Sequence, residues 1–172
     1  MLMMNTDTMI ASVRTAWSLI PPPPVEDLQY MAWGWGEEAW RAFVGIAPVE
    51  VDISSPGFLA CTPLLDLPPA TAAAYLGTYL LSLLDGLKFQ EDCGIFYDIL
   101  TRAHTIHCLS EPDFWQTVIR PYLPAECRQT LVEFCSYLAS CRELLALSQE
   151  QIDLIVALSV EDLPPQMQSP IL

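Results

Sequence analysis

From Leu67 to Leu84 the chain carries no charged side chain, and few structures can accommodate such a stretch. It is nearly long enough to cross a bilayer, since spanning helices need about 20 consecutive apolar residues. Against a span stand Pro68 and Pro69 at its start, Asp66 and Asp85 at its edges, and no flanking Lys/Arg cluster. The alternative is a helix wrapped by other helices. Pro68 and Pro69 suit a first helical turn, where their missing N–H groups would have no partner anyway. The spacing predicts a helix over Ala70–Leu87, with Thr71, Thr78, Ser82 and Asp85 on one narrow stripe. Leu76, Leu80, Leu83 and Leu87, with Tyr75, Tyr79 and Leu84, cover the rest, so this helix is expected at the centre of the fold. Ala73 and Gly77, four apart, leave room for another helix to approach its backbone. We therefore expect no membrane span.

What surrounds that helix is also helical. Of the 172 residues 52% are apolar and only 16% charged, with a mean hydropathy of +0.33, which excludes an intrinsically disordered chain. Ile10, Val13, Trp17 and Ile20 give one apolar face to a first helix from about Asp7 to Leu19. Pro21–Pro24 then fixes a polyproline spacer. In the segment 48–53, Val49, Val51 and Ile53 alternate with Glu50 and Asp52 at the period of a half-buried strand. With no second strand to pair, it is read as an extended arm over the helices.

Further on, a helix from Cys93 or Gly94 to Leu109 is expected to turn Asp98, Arg102 and Thr105 outward. A capping pattern at Ser110–Asp113 opens a short helix through Ile119, and Pro121 and Pro124 delimit a turn. The next helix, with Pro124 at its first position, carries a heptad seam of Cys127, Leu131, Phe134, Leu138, Cys141 and Leu145. Ser148 and Gln151 form a capping box for a last helix through about Leu158. The fold class read from these patterns is an irregular all-α bundle of about six or seven helices with one extended arm. It forms a single domain over 1–163, followed by a tail at 164–172.

Seven basic against 21 acidic residues give a net charge of −14, which argues against nucleic acid, because grip on phosphate backbones comes from Lys and Arg. The opening Met1–Met9 has Asp7 and no Lys or Arg, unlike a secretory signal, so a cytoplasmic location is expected. The six cysteines are spread through a chain able to build its own core, and reduced, buried thiols are expected. Cys127 and Cys141 on one rod would lie about 21 Å apart at 1.5 Å per residue, too far to meet. Gly-rich phosphate loops and nucleophile elbows are missing, the single lysine is Lys88, and no cofactor is expected.

Two constellations carry functional expectations. Trp33, Trp35 and Trp40 lie close together with Tyr30, Phe43, Glu37 and Glu38, and Gly36 can cap a short helix whose positive end meets those acids. This predicts an aromatic, acid-edged contact patch in which Glu37, Glu38, Glu50 and Asp52 steer a basic partner. The function expected is an acidic, non-catalytic protein-binding module of the inhibitor, immunity or adaptor type. The second constellation, His104, His107 and Cys108, occupies positions i, i+3 and i+4 of a helix and suggests a metal- or small-ligand-binding enzyme. On the wheel these side chains splay over about 100°, and no fourth ligand lies nearby. His107 is therefore read as a core histidine in the apolar face with Phe96, Leu100 and Ala103. A third expectation is an obligate homo-oligomeric subunit that buries its apolar surplus by self-association.

Overall fold

A computed structural model describes residues 5–94 and 99–161, and these are all-α, with nine helices and no strand among them. The helices are α1 Thr6–Trp17, α2 Gln29–Gly34, α3 Glu37–Phe43, α4 Pro56–Leu59, α5 Pro69–Cys93 and α6 Ile99–Ser110. A composite α7 over 112–122 follows, then α8 Ala125–Ser140 and α9 Gln149–Val160. The tail expected at 164–172, and Phe96 and Asp98 of the expected α6 faces, lie outside the described residues.

The uncharged stretch forms the first two-thirds of α5, against which α1, α6 and the composite α7 pack. Its leucines and tyrosines are buried almost without exception. α5 runs on past Leu87 to Cys93, where Gly94 closes it in the left-handed conformation. The added turns are polar, and Lys88 ion-pairs with Asp7 at the start of α1. No helix among the described residues is long and apolar enough to cross a membrane. Two threonines of the polar stripe are satisfied inside the protein instead: Thr71 donates to Asp27 Oδ2 at 2.6 Å and Thr78 to the Pro48 carbonyl at 2.6 Å. Only Asp85 of the stripe reaches solvent.

α1 lies against α5 and presents Met9, Val13 and Trp17, all fully buried. The small residue at Gly77 sets this crossing. A Cβ at Gly77 would stand 2.4 Å from Cγ of Trp17, so the indole fills the notch that glycine leaves. α8 packs on α1 and α9, and its whole predicted seam from Cys127 to Leu145 is buried. The helix itself stops at Ser140, so Cys141 and Leu145 continue the buried row from the turns beyond it. The Ser148–Gln151 capping box is present as expected.

Three local expectations are corrected. The segment 48–53 is not an extended arm: Pro48–Glu50 forms a 3₁₀ turn against α5 and α1, and Val51 beyond it is extended. Lacking a strand to pair with, the backbone coils where Pro48 can start a turn, yet Val51 is buried while Glu50 and Asp52 stay exposed. Ser110 is not a cap, since its hydroxyl bonds back to the Ile106 carbonyl at 2.8 Å. Glu111 precedes the next helix, with Pro112 in its first turn. That helix, α7, joins Pro112–Phe114, a π-helical Trp115–Ile119 and Arg120–Tyr122, so Pro121 lies within it rather than bounding a turn. The wide i→i−5 bond from Arg120 N to the Trp115 carbonyl leads directly into this residue, which has no N–H to place.

Candidate functional site

The short-helix end of the molecule hangs from α5 by an aromatic row. Phe43 meets Tyr75 edge-on with ring centroids 5.0 Å apart, and Phe58 lies 5.0 Å from Tyr79. Tyr75 donates to the Phe43 carbonyl at 2.8 Å, and Tyr79 donates to the Cys61 carbonyl at 3.2 Å. With its inner side fixed this way, the outer side of α2 and α3 is free to carry other residues.

Between α2 and α3 the chain reverses at Gly36, whose φ of 93° lies in the region that favours glycine. The turn brings the outer faces of the two helices together over a groove of about 370 Å³. It is lined by Val25, Gln29, Ala32, Trp33, Glu37 and Trp40. Trp33 is 86% exposed, and Tyr30 and Val25 beside it in sequence are about half exposed. Glu37 sits in the first turn of α3 and is ion-paired with Arg41 one turn on.

The predicted patch is thus assembled in part. Trp33, Trp40 and Glu37 share the groove, and Glu38 is exposed on the same short helix. Trp35 does not line the groove and packs, half-buried, against the core, which Trp40 also touches. Glu50 ends the turn that packs against α5 and α1, and Asp52 follows two residues later. There Asp52 accepts from the Ser54 backbone N–H at 3.0 Å and its hydroxyl at 2.6 Å, bonds that hold its carboxyl below the usual range. Val25, Gln29 and Ala32 are additions that the sequence analysis missed. Their spacing to Trp33, i, i+4, i+7 and i+8, was a readable signal of one helical face running through the Val25–Leu28 turn into α2.

The histidine cluster is arranged differently from the expectation. α6 is rolled so that Thr101, Thr105 and Cys108 face the core while His107 and Leu100 are exposed. His107 is therefore not a core histidine; it faces solvent, with Nδ1 3.5 Å from Glu111 Oε1. Thr105 can be buried because its hydroxyl bonds back along its own helix, to the Thr101 carbonyl at 2.8 Å. His104 stacks edge-on against Tyr79 with Nε2 3.8 Å from Cys108 Sγ. Burial, with a smaller push from His107, lowers the His104 pKa to about 4. Burial also pushes the Cys108 thiol up to about 12. At neutral pH the pair is a neutral imidazole beside a protonated thiol, the opposite of an activated nucleophile. Among the described residues no group of three His, Cys, Asp or Glu side chains is placed to hold a metal ion.

All six cysteines are free; Cys93, at the end of α5, is exposed, contrary to expectation, and the other five are buried. No protein-family model, curated protein or solved structure matches this chain.

Proposed function

We propose that this protein is an acidic helical binding module that holds a basic partner protein on its Trp33 face, in an inhibitor, immunity-type or adaptor role without catalysis. The observation that carries the reading is the 86% exposure of Trp33 within an aromatic groove. Tryptophan is the residue most enriched among interface hot spots, and a large apolar surface left in water gains free energy when a partner covers it. The net charge of −14 would draw a basic partner and speed its approach. Six unpaired thiols suit a reducing compartment, and we place the module in the cytoplasm.

Native mass spectrometry of the tagged protein from its own cells tests this. A basic protein bound at low salt, released at high salt and missing from Trp33→Ala is the expected result, since screening weakens exposed charge pairs. A partner retained by Trp33→Ala, or a salt-insensitive dimer of this chain using the same face, would overturn it.

A further inference from the structure

Taking the binding-face reading as its base, we infer that the groove between Trp33 and Trp40 is a seat for one arginine side chain projecting from the partner. Its lining combines two indoles with a single carboxylate, Glu37, and the small side chain of Ala32. Indoles attract cations through the negative face of the ring, tryptophan most strongly. A planar guanidinium can stack on an aromatic ring and also fork onto a carboxylate, which an ammonium cannot do.

The groove already shows what its carboxylate accepts. Arg41, one turn along α3, places Nη2 on Glu37 Oε1, with both side chains about two-thirds exposed. Arg41 does not line the groove, yet its guanidinium already pairs with the carboxylate of the seat, and an incoming arginine must share or displace that pairing. Arg41 is an internal competitor, and its presence sets how strongly the seat binds.

That relation supplies a test with a definite sign. The probes are N-acetyl-arginine amide, its uncharged isostere N-acetyl-citrulline amide, and N-acetyl-leucine amide. Each is titrated into the full-length ¹⁵N-labelled chain while the indole N–H signals of Trp33 and Trp40 are followed by NMR. The arginine probe is expected to shift both signals, and citrulline to bind several-fold more weakly. Arg41→Gln should tighten arginine binding by about threefold and Glu37→Gln weaken it by a similar factor, the size of one exposed cation–indole or ion-pair contact. Arg142→Gln, which removes the same charge beside Gln149 at the start of α9, controls for net charge and should leave the affinity unchanged.

Citrulline binding as tightly as arginine, or Arg41→Gln behaving like Arg142→Gln, would overturn the seat. If the leucine probe alone shifts the indoles, the seat falls and an apolar docking face stands. If no probe shifts them, the seat falls as well, while partner loss in Trp33→Ala decides separately on the face.

Discussion

Trp17 and Trp33 are the same side chain put to opposite uses. Trp17 is fully buried on the Gly77 notch of α5, within the α1–α5–α8 centre; Trp33 is 86% exposed on a helix of only six residues. The centre is long helices crossing at close range, with buried hydroxyls bonded across it as at Thr78 and Pro48. The short-helix end is held to α5 by Tyr75 and Tyr79 on one side and leaves its outer side bare. One region is closed in on itself, and the other, fixed but uncovered, is the one to which we assign recognition.

Substitutions at paired positions can break or sharpen this contrast. The largest effect is expected from Trp17→Ala, which should lose about 4 kcal/mol of stability in urea unfolding, the cost of a large aromatic cavity. Gly77→Ala should lose about 2 kcal/mol by forcing the Trp17 indole away, outweighing the better helix propensity of alanine.

His104 ties the centre to pH. Its pKa in the fold, about 4, lies below its ordinary value of 6.5, so unfolding takes up a proton between those limits. The stability this gives is present above pH 6.5 and is lost as pH falls towards 4. Relative to His104→Phe, which keeps a ring against Tyr79, the native chain should lose about 1 kcal/mol per pH unit in that window. Parallel stability profiles for the two proteins would contradict the burial of His104. The smallest effect is expected from Trp33→Ala, within about 0.5 kcal/mol of the native stability, because an exposed side chain gives up little packing. A larger loss in its thermal unfolding would move Trp33 into the structural region.

The parts of the centre governed by spacing were legible in the sequence. The four-three repeat of Cys127, Leu131, Phe134 and Leu138, the notch at Gly77 and the Ser148–Gln151 box all appear as read. What misled was polarity that a residue conceals. Thr105 read as solvent-facing, but a threonine whose hydroxyl bonds to its own helix presents a methyl group to the core, and this rolled α6 the other way. In 48–53 the alternation gave the right burial with the wrong backbone, because a period of two fixes which side chains are covered and a strand still needs a partner. At the site, the cluster of tryptophans was readable, but which one faced out was not. That depends on Gly36 and on Phe43 docking against Tyr75, a tertiary contact across 32 positions of sequence.

The central claim is that recognition belongs to the α2–α3 face. The most direct measurement places a photo-crosslinking amino acid, one position at a time, at Trp33 and at two other exposed apolar residues, Leu65 and Leu154, and irradiates the protein in its own cells. The account predicts a cross-link to a basic protein from position 33 and none to that protein from the other two. Cross-linking from Leu65 or Leu154 with position 33 silent would contradict it.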